Sequence, residues 1–211
     1  MNFISILSAL LIIIIAYFMG SIPTGVWYTQ IVHQKDIRKF GSGNSGTTNV
    51  GRNFGLKAAV VVAIVDVLKG LIPTLLAGRL FSESPWVMML AAIAAIIGHA
   101  YPIFADFKGG KVVATSIGVL LAINFGMALV QVIMLFGLLY LSSIMSFSAL
   151  LSYGAVAIYL ILSNPYISVK IGFIIIFGLM VYRHKDNLQR LIAGNERQLN
   201  WGLHLFNNKK D

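Results

Sequence analysis

The amino-acid sequence predicts an all-α integral membrane protein. Only 11% of its residues are charged and 58% are hydrophobic, whereas soluble globular domains carry about 25% charged residues. The apolar residues form continuous runs and lack the period-two alternation of a membrane β-barrel, which favours helices. Several runs reach or approach the ~20 residues that cross the hydrocarbon of a bilayer. We expect a single membrane-embedded domain over residues 1–211, without a separate soluble domain.

Six apolar runs mark the spanning segments: Ile4–Met19, Ala58–Ala77, Trp86–Ile97, Val112–Ser142, Phe147–Leu162 and Ile171–Tyr182. The first run is interpreted as a transmembrane helix and not as a cleaved signal peptide, because it is long and no Lys or Arg precedes Lys35. The fourth run has room for one helix or two. A break near Asn124 and Gly126 would divide it and give the chain seven spans.

The distribution of basic residues decides between six and seven spans. With seven spans and the N-terminus outside, every Lys and Arg falls on one side except Arg79, Lys170 and the intramembrane Lys69; Lys209 and Lys210 of the tail join the majority. Basic loops favour the cytoplasm, so we predict seven transmembrane helices, an external N-terminus and a cytoplasmic C-terminus. The formal net charge of +9 is then explained by topology and anionic lipid, and not by nucleic acid.

The first cytoplasmic segment, residues 36–52, is rich in glycine and hydrogen-bond donors. Gly41, Gly43 and Gly46 allow the backbone to approach a ligand closely, and successive N–H groups in such a loop can bind an anion. Its other candidate ligands are Arg38, Ser42, Asn44, Thr47, Thr48, Asn49 and Arg52. Residues 41–46 match the dinucleotide pattern G-x-G-x-x-G, but they follow a basic loop and not a strand, so that match is rejected. A flexible linker is the alternative interpretation.

The second segment, residues 98–111, ends in Lys108, Gly109, Gly110 and Lys111 just before an apolar helix. A helix N-terminus flanked by lysines suits a phosphate. The alternative is that these lysines only mark the membrane boundary. His99 is either a buried hydrogen-bonding residue or a catalytic base.

The third segment, residues 183–196, is predicted to contain an interfacial amphipathic helix, because Leu188, Leu191 and Ile192 share one helical face. His184 and Asn187 are three residues apart, so both side chains can reach one site. Within a span, Asp66 and Lys69 have the same spacing, and we interpret them as a structural ion pair rather than as substrate ligands.

These three segments bring together many cations and N–H or hydroxyl donors but few carboxylates. That composition suits the binding of anionic oxygens better than metal chelation or hydrolysis by paired carboxylates. We expect no metal and no cofactor. A membrane transporter for phosphate or an anionic lipid is the alternative function, although the outer loops are short and no pair of broken helices is evident. A scaffold for other enzymes of lipid synthesis is a third possibility.

The motifs resemble those of the bacterial acyl-phosphate-dependent glycerol-3-phosphate acyltransferases along essentially the whole chain. The matching stretches are residues 20–25 (GSIPTG), 36–38 (DIR), 41–49 (GSGNSGTTN) with Arg52, 98–99 (GH) with Pro102, 107–111 (FKGGK) and 187–196 (NLQRLIAGNE). The resemblance implies a seven-helix inner-membrane protein of bacteria with a cytoplasmic active site. It also implies transfer of a fatty acyl group from acyl phosphate to the 1-hydroxyl of sn-glycerol 3-phosphate, which yields lysophosphatidate and phosphate.

With this resemblance, roles can be assigned as hypotheses. The catalytic candidates are His99, Ser42 and Lys111. The candidates for binding glycerol 3-phosphate are Ser42, Arg52, Lys111, His184 and Asn187. The candidates for binding acyl phosphate are Gly43, Asn44, Gly46, Thr48, Asn49, Lys108, Gly109 and Gly110. Supporting roles are assigned to Arg38, Asp66, Lys69, Arg190 and Glu196.

The proton acceptor is left open between His99 and a substrate phosphate. The H-x-x-x-x-D dyad of other acyltransferases is missing, since Asp106 follows His99 by seven residues. The expected partners are the two substrates, membrane lipids and an enzyme that produces acyl phosphate.

Overall fold

The computed structural model describes residues 2–205, and this part of the chain is helical without a β-strand. Lys209, Lys210 and Asp211, which belong to the predicted cytoplasmic tail, lie outside the described residues. Two short 3-10 turns cover Ile37–Lys39 and Ile103–Ala105. The α-helices are α1 (Phe3–Gly20), α2 (Thr24–His33), α3 (Thr47–Phe54), α4 (Leu56–Leu80), α5 (Pro85–Ala100), α6 (Val113–Ile123), α7 (Phe125–Ser142), α8 (Met145–Ser163), α9 (Ile167–Arg183) and α10 (Lys185–Ile192).

The predicted all-α integral membrane fold is confirmed. Among the described residues, five helical segments are long and apolar enough to span a bilayer, and α9 with α10 forms a sixth if the pair, bent by 61°, counts as one. Helix α6 is apolar but has only 11 residues, about 16 Å at 1.5 Å per residue against a hydrocarbon core of about 30 Å. The number of seven spans and the orientation of the termini therefore stay predictions.

The long apolar run after Val112 does break, at Asn124. The side chain of Asn124 accepts a hydrogen bond of 3.0 Å from the backbone N–H of Met127 and so caps the start of α7. An Asn at this position satisfies a backbone donor that the first turn of a helix leaves without an intrahelical acceptor. The predicted division of this run into two helices is confirmed.

Two helices have no counterpart in the sequence prediction. Helix α2 follows the first span directly, and α3 occupies the second half of the glycine-rich segment, which was expected to be a loop throughout. Gly46 is the N-cap of α3, so the glycine-rich loop ends where the run of Thr and Asn residues begins. The amphipathic helix predicted after the last span is present as α10.

The helices that hold the site pack closely around α6. A Cβ atom added to Gly118 of α6 would lie 2.0 Å from the backbone oxygen of Val67, and one added to Gly70 of α4 would lie 2.1 Å from that of Thr115. Glycine therefore lets α4 and α6 approach each other as small residues do in membrane bundles. Helix α7 packs on α6 and α8 without extensive contact with α4. A cleft is left between α4 and α7.

Candidate active site

A cavity of about 340 Å³ opens where the three polar segments meet. One end is polar and is formed by the glycine-rich loop, α3, the residues before α6, and α10. The other end is apolar and runs down the cleft between α4, α6 and α7. The apolar lining residues are Ala63, Val67, Val112, Val113, Ala114, Ile117, Val132, Leu135, Phe136 and Met145.

Asn49 holds the glycine-rich loop in shape. Its side-chain oxygen accepts a hydrogen bond from the backbone N–H of Ser42 at 3.0 Å, and its amide donates to the carbonyls of Phe40 at 3.0 Å and Asn44 at 2.9 Å. Asn49 is buried, with 4% of its surface exposed. Because buried polar loop groups need partners, this one amide fixes the curvature of the loop and leaves the side chain of Ser42 facing the cavity.

The same loop is tied to the second segment by Arg38. Its guanidinium forms an ion pair with Asp36 at 2.8 Å and donates a hydrogen bond to the carbonyl of Ala105 at 3.2 Å. This charged partner lowers the pKa of the Asp36 carboxyl below its usual range, which keeps the carboxyl ionised. Arg38 acts at the base of the loop and does not line the cavity.

A chain of polar side chains crosses the polar end of the cavity. Asn187 accepts a hydrogen bond from the ammonium group of Lys111 and donates its amide to Glu196. The Glu196 carboxylate also receives Arg190 at 2.7 Å and the hydroxyl of Ser146 at 3.0 Å. Glu196 is thus the anion that joins α8, α10 and Lys111.

Lys111 is short of compensating negative charge. The pKa of Lys111 is lowered to about 8, mainly because its ammonium group is buried. The positive charges of nearby arginines also lower this pKa, whereas the negative charge of Glu196 raises it. A lysine with a lowered pKa gains stabilisation from any anion that enters the cavity. Lys111 is therefore suited to hold a phosphate.

Arg52 lines the same cavity from the last turn of α3. Its guanidinium donates to the backbone oxygen of Arg197 at 3.1 Å. Desolvation lowers its pKa, and the like charges of Arg197 and Arg190 lower it further. This crowding of cations around one cavity attracts anionic ligands.

Two helix N-termini also point into the cavity. Thr47 and Thr48 begin α3, and Val113 and Ala114 begin α6. The first N–H groups of a helix have no intrahelical acceptor and carry partial positive charge. Thr47 also lines the cavity, and its hydroxyl has no hydrogen-bond partner among the described residues.

A buried charged group within the helices borders the cavity. The Asp66 carboxylate receives Lys69 at 2.8 Å and the hydroxyl of Thr24 at 3.0 Å, and Nδ1 of His99 lies 3.7 Å from it. Lys69 also donates to the carbonyl of Ile22 at 2.9 Å. The predicted ion pair of Asp66 and Lys69 is present, and both residues are buried.

Comparison with known proteins decides the family. The family model described as glycerol-3-phosphate acyltransferase matches residues 10–194 of the chain. A glycerol-3-phosphate acyltransferase of Limosilactobacillus reuteri is 38% identical over 206 residues, covering 94% of each chain. One of Streptococcus sanguinis is 41% identical over 208 residues, covering 92% of this chain and 93% of the relative.

The chain belongs to the glycerol-3-phosphate acyltransferase family. Its fold also matches a solved structure of PlsY (YgiH), an integral membrane glycerol 3-phosphate acyltransferase, in the glycerol 3-phosphate form. The TM-score is 0.85 at 36% identity, over 92% of this chain and 96% of that one. The lysophosphatidic acid form of the same protein matches with a TM-score of 0.85 at 35% identity. The resemblance stated from the motifs is confirmed.

The acyltransferase fold brings most of the predicted site residues to one cavity. The predicted residues that line it are Ser42, Asn44, Gly46, Thr48, Asn49, Arg52, Asp66, His99, Lys111, His184, Asn187, Arg190 and Glu196. The predicted residues placed elsewhere are Arg38, Gly43, Lys69, Lys108, Gly109 and Gly110. Lys108 and Gly43 are both exposed to solvent.

Gly109 and Gly110, which were predicted to approach an anion, pack on His99 and do not line the cavity. A Cβ atom added to Gly110 would lie 2.0 Å from Nε2 of His99, and one added to Gly109 would lie 2.0 Å from the backbone oxygen of His99. Glycine is required here because the loop packs directly on His99. The two carbonyls are occupied by Arg183, at 2.9 Å to Gly109 and 3.0 Å to Gly110.

Arg183 was missed as an individual residue, although it lies in the third segment. It ties the end of α9 to the two residues that precede Lys111, and its guanidinium lies over the ring of Tyr101 at 5.2 Å. Two other polar residues of the cavity that were not singled out, Ser146 and Arg197, are single residues without a motif. Among the described residues, no group of three or more His, Cys, Asp or Glu side chains could hold a metal ion.

Proposed function

We propose that this acyltransferase moves a fatty acyl group from acyl phosphate to the 1-hydroxyl of sn-glycerol 3-phosphate and releases lysophosphatidate and phosphate. One observation supports this above all: a single cavity joins a cation-rich end to an apolar cleft that runs into the membrane-spanning helices. The substrates combine two phosphates with one acyl chain, and the cavity matches that combination. The two similar solved structures of PlsY (YgiH) are described as a glycerol 3-phosphate form and a lysophosphatidic acid form, which agrees with the proposed substrate and product.

The phosphate of glycerol 3-phosphate is assigned to Arg52 and Lys111, which both line the polar end of the cavity. Asn187 orients Lys111, and Ser42 contributes a hydroxyl from the glycine-rich loop. His184 has a different task. Its Nδ1 is 2.8 Å from the carbonyl of Met180 and donates to it, so in the neutral ring Nε2 is an acceptor. An acceptor suits a glycerol hydroxyl and not a phosphate oxygen.

The phosphate of the acyl donor is assigned to the N-terminal turns of α3 and α6. Free N–H groups there, with the hydroxyls of Thr47 and Thr48, provide donors without extra charge. The acyl chain then follows the apolar cleft between α4 and α7. A chain held in this way need not leave the membrane.

The chemistry requires positioning and charge stabilisation more than covalent catalysis. The 1-hydroxyl oxygen attacks the carbonyl carbon of the acyl phosphate, the bond from that carbon to the phosphate oxygen breaks, and phosphate leaves with the bonding electrons. Acyl phosphate is a mixed anhydride and already activated. Holding both reactants in one cavity and stabilising the developing charge with fixed donors therefore supplies most of the rate enhancement.

We assign the proton of the attacking hydroxyl to a substrate phosphate oxygen. Nδ1 of His99 lies 3.7 Å from the Asp66 carboxylate, and Gly110 packs closely against the ring at Nε2. His99 then supports the loop that carries Lys111, and the buried pair of Asp66 and Lys69 supports His99. We expect a His99→Gln variant to keep a measurable kcat with an unchanged pH profile.

The cation-rich end is assigned to the cytoplasmic side of a bacterial inner membrane. Exposed lysines at this end, such as Lys35, Lys57 and Lys108, agree with the positive-inside rule. An enzyme that produces acyl phosphate remains the expected partner on that side. Ser82 lies in the loop that follows the C-terminal end of α4, away from the cation-rich end. A cysteine introduced at this position should react with an impermeant maleimide added outside the cell.

The direct test is purified protein in nanodiscs with acyl phosphate and glycerol 3-phosphate, with acyl-CoA as the alternative donor. Lysophosphatidate should form from acyl phosphate only, and Arg52→Ala or Lys111→Ala should abolish activity or raise KM for glycerol 3-phosphate. Normal turnover in both variants would remove the assigned phosphate site. Uptake of phosphate into liposomes without product would support a transporter instead.

A further inference from the structure

We propose that the segment 197–205, here named the C-terminal strap, completes the glycerol 3-phosphate site by positioning Arg52. This inference rests on the proposed function, because it assigns the strap to the binding of that substrate. The strap begins beyond residue 194, where the match to the family model ends. Its contacts therefore call for an explanation of their own.

The far end of the strap is bound to the C-terminal end of α7. Its backbone N–H groups donate to three carbonyls there: Leu199 to Ser143 at 2.8 Å, Leu203 to Tyr140 at 2.7 Å, and Leu205 to Leu141 at 3.0 Å. The last carbonyls of a helix have no intrahelical donor. The strap supplies these donors at the end of a membrane helix, where unpaired groups are costly.

Two residues of the strap, Trp201 and Gly202, fix it on this helix end. The ring of Trp201 contacts that of Tyr140 with centroids 5.5 Å apart. Gly202 has φ of +105°, and a Cβ atom added to it would lie 2.3 Å from the backbone oxygen of Tyr140. Only glycine allows both this conformation and this approach. The strap therefore has one defined position.

The near end of the strap reaches the active site. Arg197 lines the cavity, and its carbonyl accepts the hydrogen bond of 3.1 Å from Arg52. In the part of the chain that the structure describes, this carbonyl is the one protein acceptor that Arg52 has. Arginine has a long side chain with many rotamers, so a single fixed acceptor decides how often its guanidinium faces the phosphate. The attachment to α7 keeps that acceptor in place.

The experiment displaces the strap without changing any cavity residue. Gly202→Ala introduces the collision with Tyr140, and Gly178→Ala on α9 is the matched control, because a Cβ atom there would contact nothing within 4 Å. Trp201→Ala is a second, unstrained variant that removes only the ring contact. All three are compared with wild type in nanodiscs.

Three readouts are needed. Hydrogen exchange reports whether the amides of Leu199, Leu203 and Leu205 are released. Steady-state kinetics gives KM for each substrate, and the rise in Tm caused by glycerol 3-phosphate measures binding without turnover. We expect faster exchange in Gly202→Ala and a KM for glycerol 3-phosphate raised about tenfold, the equivalent of one hydrogen bond to a charged group. KM for acyl phosphate and kcat should stay within twofold, and Trp201→Ala should show a smaller change in the same direction.

The role of Arg52 is tested by a double-mutant cycle. If the strap acts through this residue, Gly202→Ala should cause no further loss of glycerol 3-phosphate binding in an Arg52→Ala background. Additive losses, a released strap with unchanged KM, or unchanged exchange in Gly202→Ala would each overturn the proposal. A wild-type protein that binds glycerol 3-phosphate but never acylates it would contradict the proposed function. The rise in Tm caused by glycerol 3-phosphate would still show whether the strap contributes to binding of that ligand.

Discussion

The exchange Asn187→Asp tests whether the polar chain across the cavity organises the substrate site. The amide of Asn187 has both of its ends in use, since it accepts from Lys111 and donates to the Glu196 carboxylate. Aspartate keeps the size of the side chain and the acceptor for Lys111. It replaces the donor with a second carboxylate directly beside Glu196.

The magnitude follows from that one lost donor. A hydrogen bond to a charged group contributes about 1.5–3 kcal/mol, which corresponds to a factor of about 10–150 in an equilibrium constant. The two carboxylates also repel each other, and this repulsion is only partly offset by the nearby cations Lys111, which binds the side chain at position 187, and Arg190, at 2.7 Å from Glu196. The added negative charge further disfavours an incoming phosphate. We therefore expect kcat/KM for glycerol 3-phosphate to fall by about 10–150-fold or more.

The assay is the initial rate of phosphate release at saturating acyl phosphate with glycerol 3-phosphate varied. Gln189→Glu is the matched control, because it makes the same chemical change at an exposed position on the same helix. It should stay within twofold of wild type. An Asn187→Asp protein that folds, as judged by size exclusion and Tm, and keeps kcat/KM within twofold would refute the reasoning.

Four further predictions follow from the same geometry. Because the pKa of Lys111 is lowered to about 8, the side chain loses its positive charge as pH rises through that value. The KM for glycerol 3-phosphate should therefore rise above pH 8 in the wild type but stay flat to a higher pH in Lys111→Arg. Identical pH profiles of KM in the two proteins would contradict the assignment of Lys111 to the phosphate. Arg183→Gln removes two hydrogen bonds to the loop before Lys111 and should raise the same KM about tenfold, with Arg183→Lys restoring little; unchanged kinetics would exclude this role. Asp66→Asn or Lys69→Met should each destabilise the protein by about 3–5 kcal/mol because each leaves an unpaired buried charge, and thermal unfolding should show the double variant to be milder than either single one. Ala63→Phe should fill part of the apolar cleft and reduce kcat/KM more for long than for short acyl phosphates, by about 0.8 kcal/mol for each methylene displaced; an equal loss for all chain lengths would place the acyl chain elsewhere.

Much of the candidate site could be predicted because its residues lie in three short, polar segments within an apolar chain. The break at Asn124 was also visible, since Asn124 and Gly126 interrupt an uncharged run, and a capped helix start forms there. The ion pair of Asp66 and Lys69 followed from the cost of single charges in hydrocarbon. The helical class, the membrane location and the meeting of cations near one surface were therefore determined by the sequence alone.

The position of each side chain within that surface was decided only by the tertiary structure. Gly109 and Gly110 have the composition of an anion-binding turn, but they pack on His99 because α5 and the loop before α6 run side by side. The roles of Arg183 and the C-terminal strap depend on hydrogen bonds to backbone carbonyls. Every residue type has such a carbonyl, so the sequence does not indicate which ones are used. Residue types and their order set the solvent that each segment prefers, whereas long-range contacts between helices determine which donor meets which acceptor.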